Sequence, residues 1–289
     1  MKTPLRYPGG KSRAIDTLME FVPDDCGELC SPFLGGGSFE LALAERGIVI
    51  HGYEGFKPIV WFWNALLKKP QQLAVAARRF RRLQLYSYDK TRDPFRARGL
   101  RKDDFLRFKE EIAFALKKGH PGTIDLAAKV YALNRSSFSG TTLTGGYSAE
   151  ASCMRFTESQ LDEISNFKVQ NFTVRCADFK RALKNHDCYL YLDPPYFMPP
   201  GSNNYYGMSG DMHKSFEHLA LFSLLRQREN WILSYRDCDE IRSLYRDYQI
   251  YDAQWTYGMN KTKESKEIII TNLPKRLHCV IMDNTGGTE

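Results

Sequence analysis

Short β-rich runs separated by helix-patterned segments constrain this chain more than any single motif does. Ile48-Val49-Ile50 runs on to Tyr53-Glu54, Tyr189–Leu192 runs on to Asp193, and residues 169–174, 231–235 and 266–271 are similar. A further short strand is expected around Leu29. Between these runs lie segments of helical spacing. Ile15, Leu18 and Met19 mark one, residues 39–46 form a second that Gly47 closes, and residues 216–229 form a third. Strands alternating with helices predict an α/β fold with a mostly parallel sheet. At 289 residues, one large domain or one domain with an insertion is expected.

The formal charge of +7 is unevenly placed. Residues 64–118 hold 16 basic and 6 acidic side chains, a local +10, while the remainder holds 25 and 28, or −3. This basic, largely helical stretch, extended through the Gly/Ser/Thr-rich residues 136–148, reads as an insertion over residues 64–155. It divides a catalytic domain made of residues 1–63 and 156–289. A basic block interleaved with Phe80, Tyr86, Tyr88 and Phe95 suits a polyanion, because basic side chains release counterions condensed on phosphates. The simpler reading of such a run is a solvated helix face.

Several classes drop out. No apolar run approaches the roughly 20 residues that span a bilayer, so no membrane partner is expected. The start, Met1-Lys2-Thr3-Pro4-Leu5-Arg6, lacks the apolar core of a secretion signal, so a soluble, intracellular (cytoplasmic) protein is expected. Seven scattered cysteines are an odd number and read as reduced thiols. Cys26 and Cys30 have no second pair or suitably spaced His, so no metal site is expected.

Two glycine clusters bear on ligand binding. Gly9-Gly10-Lys11-Ser12 resembles the end of a phosphate-binding P-loop, but Leu5 stands where that motif needs its first glycine. Gly35-Gly36-Gly37 lies between a strand and a helix, where glycine lets backbone approach a ligand closely. Glu54 follows Gly37 by 17 residues at the end of the next strand, where a Rossmann-like site places a carboxylate on ribose hydroxyls. Glu40 occupies the last glycine position of the dinucleotide pattern, which disfavours a nicotinamide cofactor.

The sharpest signal is Leu190-Tyr191-Leu192-Asp193-Pro194-Pro195-Tyr196-Phe197. An apolar strand here delivers a carboxylate, two prolines and an aromatic ring to the carboxyl edge of the sheet, where open α/β sheets bind ligands. Methylation of an exocyclic amine on a flat base fits this set. The amine lone pair is delocalised into the ring, and two acceptors, the Asp193 carboxylate and the Pro194 carbonyl, would draw it toward tetrahedral geometry. Proline fixes φ and so holds that carbonyl. Tyr196 offers a stacking face worth about 1–3 kcal/mol, offsetting part of the cost of extruding a base.

With these motifs in this order, the sequence resembles the Dam-like, alpha-group adenine-N6 DNA methyltransferases. Leu5-Arg6-Tyr7-Pro8-Gly9-Gly10-Lys11 is similar to the family's N-terminal signature, and Pro32-Phe33-Leu34-Gly35-Gly36-Gly37-Ser38 to its cofactor loop. Asp193-Pro194-Pro195-Tyr196 is similar to its catalytic tetrapeptide, and residues 232–235 and 267–272 to its later strands. Asn134-Arg135-Ser136-Ser137-Phe138-Ser139-Gly140 resembles its N-R-x-x-F-N-G segment. Two positions depart from the family pattern: Phe56 replaces a frequent Asn, and Ser139 replaces another.

The resemblance implies a Rossmann-like methyltransferase fold with an inserted target-recognition domain. It implies S-adenosylmethionine as cofactor, near Tyr7, Gly9, Lys11, Phe33, Gly35, Gly37, Ser38, Glu54, Asp178 and Asp193. The catalytic set it implies is Asp193, Pro194, Pro195 and Tyr196, acting on a flipped adenine of duplex DNA. Arg92, Arg96, Arg98, Arg101 and Arg135 are the expected DNA contacts. A cognate restriction endonuclease is a partner that the resemblance allows, as is association with nucleoid or viral DNA. The competing expectations are an RNA adenine-N6 enzyme, a DNA cytosine-N4 enzyme and an inactive DNA-binding relative. The absence of a Pro-Cys dipeptide argues against cytosine-C5 chemistry.

Overall fold

The structure is a computed structural model and describes residues 1–86, 95–197, 216–256 and 264–273. The chain opens with α1 (Ile15–Met19), β1 (Glu28–Ser31), α2 (Ser38–Glu45) and β2 (Val49–Glu54). Next come α3 (Lys57–Lys68), α4 (Pro70–Arg78), a hairpin of β3 (Arg82–Tyr86) and β4 (Phe95–Gly99), then α5 (Lys102–Lys117), α6 (Ile124–Ser136) and α7 (Ala149–Arg155). The rest runs α8 (Glu158–Ser165), β5 (Phe172–Cys176), α9 (Phe179–Asn185), β6 (Tyr189–Leu192) and α10 (His218–Leu225). It ends with β7 (Trp231–Arg236), α11 (Asp239–Leu244), β8 (Gln249–Thr256) and β9 (Glu264–Thr271).

Seven strands form one sheet in the order β5-β2-β1-β6-β7-β9-β8. The first five are parallel, while β9 lies antiparallel to both β7 and β8. This is the mostly parallel α/β arrangement that the alternation of strands and helices predicts, and it is consistent with the Rossmann-like fold that the resemblance implies. Side chains alternate across a strand, so β6 feeds two cores at once. Tyr189 and Tyr191 enter one cluster, with Phe39 and Trp63, while Leu190 and Leu192 enter the other, with Leu183 and Leu225. All four β6 residues are buried. A strand covered on both faces must be apolar throughout, which is why this run is so plain in the sequence.

Strand order positions the site. The chain passes from β1 outward to β2, whereas β6 adds to the opposite side of β1, pairing Leu29 with Tyr189 and Cys30 with Leu190. Reversal of direction at β1 opens a crevice at the carboxyl ends of β1 and β6, where ligands bind in open α/β sheets. The Gly35-Gly36-Gly37 turn leaves β1 there and Asp193-Pro194-Pro195-Tyr196 leaves β6.

The basic stretch begins inside α3 and is helical through α4, α5, α6 and α7, with the β3–β4 ribbon as an addition to the helices expected. Leu73, Phe105, Phe108 and Ile112 join the first of the two cores. Phe62 of α3 stacks on Tyr131 of α6 at 5.5 Å, and Phe80 meets Phe108 edge-on at 4.6 Å. In the ribbon, Leu83 pairs with Arg98 and Leu85 with Arg96, so all four share one face. That face is exposed, with Leu83 at 48 % and Leu85 at 72 %. On the other face, Gln84 donates to the Leu100 carbonyl at 3.4 Å and to Cys153 Sγ of α7 at 3.5 Å, which ties the ribbon to the helices.

Candidate active site

Four segments far apart in sequence meet at the crevice. Asp193 lies just beyond β6, and Ser234 on β7 donates to its Oδ1 at 3.0 Å. Because β9 runs antiparallel to β7, its first residues reach the same edge as the carboxyl ends of the parallel strands. Glu267, 2 % exposed, arrives by that route, and the Tyr196 hydroxyl donates to its Oε1 at 2.8 Å. The fourth segment is the N-terminal loop. Its Lys11, 3 % exposed, donates through Nζ to both Asp193 oxygens at 2.7 and 2.8 Å and to the Tyr196 hydroxyl at 2.7 Å. Glu267 Oε2 lies 3.7 Å from the same nitrogen.

The N-terminal loop is held there by two anchors. Asn134, fully buried at the end of α6, accepts from the Arg6 amide at 2.9 Å and donates to the Arg6 carbonyl at 2.7 Å. Its amide nitrogen also donates to the Gly140 carbonyl at 2.8 Å. The second anchor is the Tyr7 ring, which lies so close to Gly35 that a Cβ there would overlap it. A Cβ on Gly37 would come within 2.7 Å of the Trp63 ring. Both glycines have left-handed φ, +47° and +63°, and Gly37 starts α2. The turn therefore needs glycine for its conformation and for the two rings packed on it.

Burial sets the electrostatics nearby. Glu54 ends β2 with Oε2 accepting from the Gly35 amide at 3.1 Å and Oε1 from the Phe56 amide at 2.9 Å. Desolvation still raises its carboxyl above the ordinary range. Glu40 on α2 accepts from Ser31 Oγ at 2.6 Å, and burial, helped by the negative Asp193, pushes its pKa up to about 7.

The remaining sequence-predicted residues are distributed as follows. Phe33 stacks on Phe179 at 5.8 Å. Ser38 is buried at the start of α2. Gly9 has φ +78°, and its carbonyl accepts from Lys11 Nζ at 3.1 Å. Pro194 is buried and Pro195 partly so. Asp178 caps α9, its Oδ1 accepting from the Arg181 amide at 2.9 Å. Arg96, Arg98 and Arg101 are exposed on or beside the ribbon, and Arg92 lies outside the described residues. Arg135, expected to face DNA, is turned inward and is 8 % exposed. Its Nε donates to the Arg155 carbonyl at 2.6 Å and its Nη1 to the Pro4 carbonyl at 3.3 Å.

Sequence reasoning placed Lys11 beside a cofactor and gave Glu267, Ser234 and Asn134 no individual role. The one local signal for Glu267 is a carboxylate opening the apolar run Ile268-Ile269-Ile270.

The family model for the D12 class N6 adenine-specific DNA methyltransferases matches residues 7–259. The chain belongs to this family. The methyltransferase therefore acts on adenine N6 in DNA, in a site-specific manner, and the RNA, cytosine-N4 and inactive readings are not favoured. Comparison with curated proteins finds no match. No helix among the described residues is long and apolar enough to cross a membrane.

Proposed function

We propose that this methyltransferase binds S-adenosylmethionine beside the Gly35-Gly36-Gly37 turn and methylates an adenine extruded from duplex DNA into the β1–β6 crevice. The observation carrying this reading is the convergence of that turn and the Asp193-Pro194-Pro195-Tyr196 segment at one topological switch point. The residues suit the cofactor: a left-handed glycine turn opens α2, and a buried carboxylate ends β2. Glu54 accepts from backbone amides, and a carboxylate offers about four acceptor sites, so room remains for ribose hydroxyls. Tyr7, Gly9, Phe33, Ser38 and Asp178 surround the same crevice in this reading.

When bound, S-adenosylmethionine would supply an electrophilic methyl for the amine nitrogen, leaving as the neutral thioether, and the surplus amine proton would pass to water. Asp193 Oδ and the Pro194 carbonyl accept the amine N–H groups and concentrate its lone pair on nitrogen. Ser234 orients Asp193, and the rigid prolines fix the carbonyl. The Tyr196 ring stacks on the base, offsetting part of the few kcal/mol needed to extrude it. Residues 64–155 act as the target-recognition unit, with the exposed ribbon arginines Arg96 and Arg98, and nearby Arg101, on the phosphates or base edges. In a restriction-modification setting a cognate endonuclease would share its target sequence.

Tritiated S-adenosylmethionine offered with duplex DNA and, in parallel, with RNA, followed by nucleoside analysis and sequencing of modified bases, tests the reading. Labelled N6-methyladenine within one sequence motif is the expected product. Label in RNA alone, or in N4-methylcytosine, would overturn it.

A further inference from the structure

One of the two acceptors that the target amine needs is already engaged by a cation. Both Asp193 oxygens accept from the Lys11 ammonium, which also donates to the Tyr196 hydroxyl and sits 5.2 Å from the centre of that ring. Ser234 adds a donor on Oδ1, so an amine N–H meets a carboxylate whose charge the ammonium already compensates and therefore gains less from it. A positive charge held there also opposes the positive charge that grows on nitrogen as it takes a methyl. Lys11 must therefore leave Asp193 before the reaction, yet a buried ammonium cannot be abandoned without an anion.

Glu267 provides that anion. Its carboxylate is as buried as Lys11, and Oε2 lies 3.7 Å from Nζ, so a movement of about 1 Å makes a full hydrogen bond. Its other oxygen accepts from the Tyr196 hydroxyl, so the residue receiving the charge also steadies the ring proposed to stack on the base. We infer that Lys11 holds the place of the target amine in the resting enzyme, and that Glu267 takes over its charge when adenine enters. Lys11 and Glu267 are positioning residues: they act on the reaction through Asp193 and Tyr196. The inference rests on the reading above in which Asp193 accepts from the amine.

Three variants test it: Lys11→Gln, Glu267→Gln and the two together. Glu267→Gln keeps an acceptor for the Tyr196 hydroxyl and removes only the charge, so the ammonium stays on Asp193. It should lower kcat about tenfold or more while KM for DNA and S-adenosylmethionine affinity change less than about threefold. Lys11→Gln leaves two carboxylates without their cation and should also be slow. The double variant removes one charge of each sign and should exceed both single variants in kcat. Wild-type kcat in Glu267→Gln, or a double variant no faster than the slower single one, would overturn the inference.

A crystal structure of the wild-type enzyme with duplex DNA and S-adenosylhomocysteine serves even where a variant fails to fold. Nζ within hydrogen-bond distance of Glu267 Oε2 is expected there; Nζ still on both Asp193 oxygens beside an extruded adenine contradicts the transfer. Failure of the underlying reading is distinct, because it shows in the wild-type enzyme alone as absence of N6-methyladenine.

Discussion

Lys11 and Glu267 at the sheet edge are 3 % and 2 % exposed, whereas Leu85 on the β3–β4 ribbon is 72 % exposed. The edge is built from long-range contacts that leave each polar group few orientations. Low dielectric makes each of those contacts matter, so most of the geometry is set before the substrate arrives, and in the proposed cycle only the Lys11 ammonium shifts, from Asp193 to Glu267. The ribbon is a two-stranded element with apolar and cationic side chains facing outward. Such a surface gains its contacts only when a partner covers it. A largely preorganised centre and an exposed ribbon, the proposed reading surface, thus stand within one chain, and substitutions should separate them.

The largest separation is expected from Asp193→Ala. In the proposed mechanism it removes the principal acceptor of the target amine, so kcat should fall by about 10³-fold or more. DNA affinity should change little, because the proposed contacts to phosphate lie on the ribbon. Filter binding alongside methyl transfer checks both, and undiminished methylation would end the assigned role.

Next comes the carboxyl of Glu40, under the edge. Its folded pKa of about 7 lies above the ordinary carboxyl value. The native state therefore holds this proton where the unfolded chain has lost it. That contribution to stability is full below the unfolded pKa and is lost as pH rises through about 7, amounting to about 3 kcal/mol. Glu40→Gln mimics the protonated form and keeps an acceptor for Ser31. Its melting temperature should vary less than wild type between about pH 5 and pH 8, and exceed wild type at the upper end. An unchanged pH profile would show that Glu40 does not carry the raised pKa.

Legibility from sequence followed the same division. β6 and Asp193 could be read locally because a strand buried on both faces must be continuously apolar, and the prolines stop it abruptly. The glycine turn was legible for a similar reason, since left-handed φ at Gly35 and Gly37 has few substitutes. The assembly of the site was not legible. Lys11 meets Asp193 across 182 residues, and Asn134 meets Arg6 across 128. No local pattern encodes such pairings. The ribbon escaped for another reason: Arg82-Leu83-Gln84-Leu85-Tyr86 alternates with period two, but its leucines point outward, against the usual sense of a half-buried strand. The resemblance implied that Arg135 faces DNA, but backbone carbonyls claim its guanidinium inside the fold.

On the ribbon, a double Arg96→Ala, Arg98→Ala variant should weaken DNA binding about tenfold at moderate salt. If both side chains meet phosphates, the slope of log affinity against log salt should become shallower by about 2. S-adenosylmethionine affinity, measured by calorimetry, should stay at the wild-type value. An equal loss in both affinities would mean that ribbon and crevice are not separable as proposed.

The smallest effect belongs to Leu85→Ser, and it sharpens the comparison most. Leu85 is exposed beside Arg96 on the outer face, so folding stability should change by less than about 0.5 kcal/mol. The major groove admits a two-stranded ribbon, and thymine presents a methyl group there that an apolar side chain can meet. A ribbon docked in the groove should then lose a few-fold in affinity for the target sequence and almost nothing for unrelated DNA, whose binding is set by phosphate charge. Competition assays with target and non-target duplexes separate the two. An equal drop on both would make Leu85 a contact with the DNA backbone, and no drop on either would leave the arginines alone as the reading face.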